Sequence, residues 1–159
     1  MKHLPKHLRP RWRYVAIGLE AWPDADVGRR DFQRALWYSA GNLLGDTGSA
    51  DAELKLLSFS FSEGEGEAVV RVRHGHLDDA RAAIACVSEV DGDPVGIRVR
   101  GISGTVRACE ERYMGRAAAI SIQRDVAFED AERTAVVRGD AYDVRTESGY
   151  VGAAAFDIE

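Results

Sequence analysis

The stretch AVVRVRHGHLDDARAAIACVSEVDGDPVGIRVRGI, residues 68–102, decides the fold, because it contains a strand, a helix and a second strand. Valine alternates with arginine in residues 68–74, and apolar residues alternate with arginine again in residues 95–102, which predicts two half-buried strands. Between them, residues 77–90 repeat apolar side chains at helical spacing and begin with two aspartates. This pattern predicts an amphipathic helix that the turn DGDP ends.

The residues upstream predict the other half of the same sheet. Residues 11–20, RWRYVAIGLE, alternate as a strand, and residues 53–62, ELKLLSFSFS, are predicted to form a hairpin with the next strand through the turn EGEGE. The helix between them is predicted over residues 27–44, with Asp26 as its N-cap, Gly45 at its C-terminal cap and GDTGSA as a following loop. Its expected core stripe is Phe32, Leu36, Ala40 and Leu43.

A third helix is predicted over residues 105–118, after the turn GISGT. The element order is therefore that of the split βαβ, ferredoxin-like plan, which RRM domains share. We predict an α+β fold: a βαββαβ sandwich whose antiparallel four-stranded sheet has its first and third strands in the centre, with an added C-terminal helix. Residues 1–119 are predicted to form this domain, and residues 120–159 an acidic extension in which AVVRGDAYDV and GYVGAAAF make a terminal hairpin or a mobile tail.

The composition is typical of a globular protein. Of the 159 residues, 45% are apolar and 30% are charged, and no apolar run approaches the roughly 20 residues of a membrane span. The basic N-terminus has no apolar signal segment behind it, so we expect a cytoplasmic protein with no membrane partner. The two cysteines form no CxxC pair, which favours reduced thiols. Residues 120–159 hold 4 Lys+Arg and 9 Asp+Glu, and thus account for the entire formal net charge of −5.

No combination of residues in the sequence predicts a catalytic or metal site. His74 and His76 form an HxH pair, but no cysteine or carboxylate at a recognisable spacing completes a ligand set. Asp78 and Asp79 are adjacent on a predicted helix, so they point about 100° apart and cannot act as an opposed acid and base. Ser103 lacks the glycine spacing of a nucleophile elbow. We therefore expect no catalytic residue and no cofactor or metal ion bound by the protein itself.

The alternation that buries the valines places arginines and aromatic rings together on the opposite face of the sheet. This face is predicted to carry Arg71, Arg73, Arg98, Arg100, Trp12 and Tyr14. Guanidinium groups bond to phosphate oxygens and aromatic rings stack on bases, so the pattern indicates an RNA-binding surface. Two alternatives stay open: the arginines pair with Glu65, Glu67 or the acidic tail, or the third helix packs over the face.

Two neighbouring segments extend the predicted RNA surface. The first thirteen residues contain no acid, and they add Arg9, Arg11 and Arg13. The turn GISGT joins a strand to a helix start, where glycines permit a tight turn and backbone amides bind a phosphate. It adds Gly101, Ser103, Gly104, Thr105 and, just beyond, Arg107. A simple strand-to-helix turn explains the same residues equally well.

Three segments of the chain resemble a known family. They are LPKHLRPRWRYVAIGL, ALWYSAGNLLGDTGSA and DDARAAIACVSEVDGDPVGIRVRGISGTVRA, in this order, and they resemble the archaeal ribonuclease P protein component 2 family from residue 1 to about residue 113. The resemblance implies an RRM-like subunit of ribonuclease P, the ribonucleoprotein that removes 5′ leaders from precursor tRNA. It also implies that the RNA holds the catalytic Mg²⁺ ions, while the protein stabilises the RNA. The neutral body and the acidic tail are departures from the family pattern.

The resemblance further implies protein partners: ribonuclease P protein component 3, in a heterotetramer with two copies of each chain, and the other protein subunits of the particle. Trp37 and Tyr38 lie beside the core stripe of the first helix, which is typical of interface anchors, although a wide core face explains them almost as well. A different class of function also stays open, namely a free-standing ferredoxin-like module that binds a small ligand or a regulatory protein.

Overall fold

The first strand of the sequence, β1 (Trp12–Ala21), lies in the centre of a five-stranded sheet in the computed structural model, which describes residues 4–115 and 122–158. The other strands of this sheet are β2 (Lys55–Ser62), β3 (Glu65–Arg73), β4 (Glu89–Val90) and β5 (Asp93–Ser103). Their order is β2-β3-β1-β5-β4, and all neighbours are antiparallel. The predicted ferredoxin-like plan with central first and third strands is therefore confirmed, and β4 is an addition to it.

Two tight turns explain the hairpins of this sheet. Glu63 and Gly64 connect β2 to β3 with positive φ angles of 51° and 81°, and Asp91 and Gly92 connect β4 to β5 with 50° and 83°. Two positive φ angles match the right-handed twist of a hairpin, which favours Asp-Gly and related pairs. The predicted helix over residues 77–90 is consequently too long: α2 spans only Leu77–Ala85, and β4 follows it.

The first helix, α1 (Arg29–Ala52), differs from its prediction at both ends. Asp26 is not its N-cap, because Gly28 occupies that position without a side-chain cap. Gly45 does interrupt the helix, with φ 74° and ψ 173°, but the expected loop after it is helical again and ends in the fully buried Ala52. Leu43, predicted in the core, is 48% exposed. The core contacts of this last turn are made instead by the buried Ala40 and the partly buried Leu44.

Helices α1 and α2 pack on one face of the sheet, which we call the first face. The core there consists of alternate residues of the central strands with the apolar stripes of both helices, including Val15, Ile17, Val70, Val72, Phe32, Leu36, Ala80 and Ile84. The third helix, α3 (Val106–Tyr113), packs on the opposite, second face. A helix was predicted over residues 105–118, and α3 occupies residues 106–113 of that range. Residues 116–118 lie outside the described part of the chain.

The tail forms a sheet of its own rather than the predicted hairpin or mobile segment. Its strands are β6 (Ile122–Phe128), β7 (Ala131–Arg138), β8 (Ala141–Thr146) and β9 (Gly149–Ala154), in the antiparallel order β6-β7-β8-β9. Its small core consists of Val126, Ala135, Val144 and Ala153. The chain divides into two compact units, residues 1–116 and residues 117–159. Among the described residues, no helix has the length and apolar character needed to cross a membrane.

Candidate nucleic-acid interface

The pairing of β1 with β3 brings the predicted aromatic and basic side chains onto the second face. Trp12 lies opposite Arg73, and Tyr14 lies opposite Arg71. Directly paired residues of antiparallel strands point to the same side of a sheet, and the even-numbered residues of β1 point away from the core that contains Val15. The predicted grouping of these four side chains on one face therefore agrees with the strand register.

A compact basic and aromatic group lies at one end of the second face. The guanidinium carbon of Arg71 lies 3.8 Å from the centroid of the Trp12 ring, and that of Arg73 lies 5.5 Å from it. Lys55 of β2 is paired with Arg71 and is exposed. We call Trp12, Lys55, Arg71 and Arg73 the Trp12 cluster. Lys55 was missed in the sequence analysis because the β2–β3 register shifts between Leu56 and Ser58, and only this shift, which local sequence does not show, places Lys55 opposite Arg71.

The Trp12 cluster retains hydrogen-bonding capacity. The Nε atoms of Arg71 and Arg73 are buried, yet neither has a hydrogen-bond partner among the described residues. Arg73 also makes an ion pair of 3.1 Å with Glu53, but both side chains are more than 40% exposed, and such surface pairs contribute little. The accessible positive charge at this end comes from Arg73, which is 41% exposed, and from the exposed Lys55, and this charge suits it to binding an anion.

The other arginines of the second face are paired internally. Arg100 makes a 2.5 Å ion pair with Glu67, and these side chains are only 19% and 17% exposed. Its guanidinium lies across Gly18, where an added Cβ would be 2.8 Å from Nε. Arg98 lies 3.8 Å from Glu20. The alternative in which Glu67 neutralises the arginine face thus applies to Arg100, and the face is positive mainly at the Trp12 end.

Helix α3 covers the middle of the second face. Ala16, Val69 and Cys109 are fully buried there, with Tyr14 and Tyr113 packed against them. Burial raises the pKa of the Cys109 thiol, and the neighbouring Glu110 charge raises it further. The alternative in which the third helix packs over the face is therefore correct for its centre, and it leaves Tyr14 only partly exposed.

The packing of α3 covers the first part of the turn GISGT and leaves its second part exposed. A Cβ on Gly101 would lie 2.1 Å from the Tyr113 ring, so Gly101 is covered by that ring, and Ser103 is buried. Ser103 is thus removed from the surface and Gly101 is partly covered, and both stay predictions as RNA contacts. Gly104, Thr105 and Arg107 are exposed. The Thr105 hydroxyl accepts a hydrogen bond of 3.1 Å from the Ala108 amide and so caps α3, and Arg107 pairs with Glu111 at 2.8 Å.

The basic N-terminal arm does not lie wholly on the side of the Trp12 cluster. Arg13 is paired with Val72 and has the parity of Val15, so its side chain leaves from the first face, opposite the Trp12 cluster, and its RNA contact stays a prediction. Arg11 is exposed, and its carbonyl accepts a hydrogen bond from the His74 amide. Arg9 donates from Nε to the Leu4 carbonyl at 2.7 Å.

A second surface lies on the outside of α1. Trp37 is 53% exposed and Tyr38 is 74% exposed, although the Trp37 indole donates a 2.8 Å hydrogen bond to the Leu54 carbonyl. Tyr38 and Leu43 line a groove of about 790 Å³ whose far side is the segment from Cys86 to Gly92. Exposed aromatic side chains beside a groove are typical of a protein-binding surface.

The HxH pair, His74 and His76, follows directly after β3. His76 lies 3.8 Å from Asp79, a neighbour on the first turn of α2. Within residues 4–115 and 122–158, no group of three or more His, Cys, Asp or Glu side chains is arranged to hold a metal ion.

The part of the chain that forms this fold matches a known protein family. Residues 13–114, which run from β1 to the end of α3, match the model of the Rpp14/Pop5 family. The chain therefore belongs to the Rpp14/Pop5 family, and the match excludes the tail sheet. A chain in the cryo-EM structure of yeast ribonuclease MRP aligns with a TM-score of 0.48 and 16% identity over 60% of this chain and 75% of its own length.

Relatives within this family are ribonuclease P proteins. Ribonuclease P protein component 2 of Halorubrum lacusprofundi is 80% identical over 159 residues, which is 100% of each chain. The Haloarcula marismortui protein of the same name is 57% identical over 99% of each chain, and that of Thermococcus gammatolerans is 31% identical over 71% of this chain and 91% of its own. The chain is thus a member of the ribonuclease P protein component 2 family, and the resemblance in its sequence is confirmed.

Proposed function

We propose that this chain, as a protein subunit of ribonuclease P, holds the ribonuclease P RNA and its bound precursor tRNA through the Trp12 cluster. The observation that carries the proposal is the position of two arginines, 3.8 Å and 5.5 Å from one tryptophan ring, with buried Nε donors that lack partners in the described chain. A planar guanidinium bonds two phosphate oxygens at once, and an indole beside it stacks on a base.

The role of the cluster is binding, not hydrolysis. Its side chains provide positive charge, hydrogen-bond donors and an aromatic surface, and none of them is a carboxylate or imidazole of the kind that serves as a general base. We assign cleavage of the 5′ leader to Mg²⁺ ions held by the RNA, whose phosphates supply the oxygen ligands that Mg²⁺ prefers. The chain then contributes by neutralising phosphates that would otherwise require more cation.

The proposal narrows the RNA surface relative to the sequence analysis. Arg98 and Arg100 face Glu20 and Glu67, so RNA would have to compete with existing pairs for these arginines. The exposed Thr105 and Arg107 at the start of α3, with Arg9 and Arg11 of the N-terminal arm, stay predictions as peripheral contacts. The Trp12 cluster is favoured over them because it combines charge, a ring and unsatisfied donors in one place.

A protein partner is proposed for the outside of α1. Ribonuclease P protein component 3 is the partner that family membership suggests, in a heterotetramer with two copies of each chain. The exposed ring of Tyr38, which lines the groove, and the half-exposed ring of its neighbour Trp37 support an apolar contact on this helix. This surface lies on the first face, with α1 and α2, so it does not compete with the Trp12 cluster on the second face.

The RNA-binding proposal is tested by the salt dependence of affinity. The double variant Arg71→Ala/Arg73→Ala is compared with Arg30→Ala/Arg81→Ala, a control of equal charge whose arginines are exposed on α1 and α2. Each lost phosphate contact lowers the slope of log affinity against log salt by about one, so the first pair should lower it by about two. Equal slopes for the two double variants would refute the assignment of phosphate contacts to the cluster.

The assignment of cleavage to RNA has its own test. Purified chain without RNA, incubated with precursor tRNA and Mg²⁺, should produce no mature 5′ end. Cleavage that co-purifies with the RNA-free chain would overturn this assignment while leaving RNA binding by the Trp12 cluster intact.

A further inference from the structure

The tail sheet separates the charges of its four strands between its two sides. One side contains the small core of Val126, Ala135, Val144 and Ala153, and we call it the Tyr142 face because Tyr142 packs against that core. Successive residues of a strand point to opposite sides, so parity places Arg124 and Arg133 on this face as well. The acidic residues within the strands all have the other parity: Asp125, Glu132 and Asp143. The strands therefore present only positive charge on the Tyr142 face.

Arg124 and Tyr142 bring a cation and an aromatic ring together on this face. The guanidinium carbon of Arg124 lies 5.5 Å from the centroid of the Tyr142 ring. Ala135 is paired with Arg124 on the strand between these two residues, and its small side chain lets the guanidinium extend across it. Arg124 is exposed and Tyr142 is partly exposed, so both are accessible to a ligand. A guanidinium beside a ring repeats the chemistry of the Trp12 cluster in a part of the chain that the family match excludes.

Neighbouring carboxylates do not neutralise the arginines of the Tyr142 face. Within residues 4–115 and 122–158, neither Arg124 nor Arg133 makes an ion pair. On the opposite side of the sheet, by contrast, Arg138 pairs with Asp143 at 2.6 Å. The exposed Arg124 is therefore available to an anion from outside the chain.

The acidic residues of the tail lie away from Arg124. Residues 122–158 hold 8 Asp+Glu and 4 Lys+Arg, and the acids outside the strands lie in turns at the strand ends or after β9. Glu129 is five residues from Arg124, about 16 Å of extended strand, and exposed charges more than about 8 Å apart are largely screened at physiological ionic strength. Asp125 points to the opposite side, where it accepts a 3.1 Å hydrogen bond from the Thr134 hydroxyl. The net negative charge of the tail therefore acts only weakly at Arg124.

We propose that the Tyr142 face binds a single-stranded segment of RNA, with a phosphate on Arg124 and a base stacked on Tyr142. The proposal rests on the proposed function in that it takes RNA as the ligand of this chain, and it does not depend on the Trp12 cluster. Charge selects this occupant, because the face offers cations without acids and a planar guanidinium bonds two phosphate oxygens at once. A single strand is required because only an unstacked base has a face free for the ring.

The test is the fluorescence anisotropy of a labelled oligouridylate of about eight nucleotides, titrated with the full chain that carries Arg71→Ala/Arg73→Ala. This background weakens the Trp12 cluster, so the remaining affinity reports the tail. Arg124→Gln should lower the slope of log affinity against log salt by about 0.7, the value for one phosphate contact of a single strand. Arg145→Gln is the matched control, because Arg145 is also exposed but points to the opposite side of the sheet, and it should leave the slope unchanged.

The contribution of the ring is measured separately. Tyr142→Leu should weaken binding of the oligouridylate at least about five-fold, whereas Tyr142→Phe keeps the ring and should bind as its parent does. Because Arg124 is at an exposed position, Arg124→Gln keeps the test valid if loss of the ring disturbs the small core of the tail.

The outcomes separate this proposal from the proposed function. Equal salt slopes for Arg124→Gln and Arg145→Gln would overturn it, and so would the absence of measurable affinity in the Arg71→Ala/Arg73→Ala background, which leaves the proposed function intact. Tail variants that bind the oligouridylate normally but associate weakly with the other protein subunits of the particle would assign the Tyr142 face to a protein instead. If the tail variants weaken binding and Arg71→Ala/Arg73→Ala does not, the Trp12 cluster loses its role and the Tyr142 face keeps it.

Discussion

Replacement of Gly101 by alanine tests how α3 is held against the second face. The added Cβ would lie 2.1 Å from Cζ of Tyr113 and 2.3 Å and 2.5 Å from the two Cε atoms, so the ring must move. Tyr113 is the last residue of α3, and it packs with the fully buried Ala16 and Val69. Overpacking of this kind costs about 1–3 kcal/mol. We therefore expect the free energy of unfolding to fall by about 1–3 kcal/mol and α3 to loosen.

Two measurements check this prediction. Urea unfolding at constant salt gives the loss of stability, and the labelling rate of Cys109 in a Cys86→Ser background reports the loosening of α3, because this thiol is fully buried against α3. Gly104→Ala is the matched control, since its Cβ would meet nothing within 4 Å, and we expect a change of no more than about 0.5 kcal/mol.

A double-variant cycle tests the contact itself. Gly101→Ala should cost much less in a Tyr113→Ala background, because the ring that clashes is gone. If Gly101→Ala is as stable as Gly104→Ala and keeps Cys109 protected, then α3 does not rest on Gly101 as described.

Three further predictions concern other parts of the chain. Gln33→Ala should lower the free energy of unfolding by about 1–3 kcal/mol, because the Gln33 side chain accepts a 2.7 Å hydrogen bond from the amide of the buried Leu56; a loss below about 0.3 kcal/mol in urea unfolding would contradict this. Tyr38→Ala should weaken binding of protein component 3, measured by calorimetry, with unchanged unfolding, since Tyr38 is 74% exposed; equal affinity would remove this ring from the interface. Burial raises the Cys109 pKa, so the unfolded chain releases this proton first and the stability that the thiol contributes should be lost as pH rises above about 9; a Cys109→Ala variant with the same decline would argue against it.

Strand parity was the part of the site that the sequence could predict. Alternation of valine and arginine has a period of two, so it determines which residues share a face before any pairing is known. It correctly grouped Trp12 with Arg71 and Arg73, and the order of elements led to the central position of β1 and β3. The stacking of Arg71 on the indole then follows from direct neighbours in the sheet.

The rest depended on contacts between distant segments. Local sequence gives no signal for the register shift between Ala16 and Ile17 in the β1–β5 pairing, or for the approach of Arg100 to Gly18. The ion pair between Arg100 and Glu67 therefore could not be chosen over RNA binding by Arg100 from the sequence. The end of α2 was misjudged because Val87 and Val90 are buried and continue the apolar spacing of a helix although they lie beyond it.

The tail was underestimated for a related reason. Its four strands are short, and the core that they form is small, so each strand alone gives a weak alternating pattern. The turn between β6 and β7 consists of Glu129 and Asp130, both with positive φ, and this pair lacks the glycine that marks most such turns in a sequence.

The central claim is that the Trp12 cluster supports the RNA of ribonuclease P by neutralising its phosphates. It is tested most directly by the Mg²⁺ requirement of the particle reconstituted from RNA, this chain and its protein partners, with Arg71→Ala/Arg73→Ala in place of the wild-type chain. We predict that assembly is retained and that half-maximal cleavage of precursor tRNA needs several-fold more Mg²⁺, whereas the control Arg30→Ala/Arg81→Ala matches the wild type. An unchanged Mg²⁺ requirement in a particle that contains the Arg71→Ala/Arg73→Ala chain would contradict the claim.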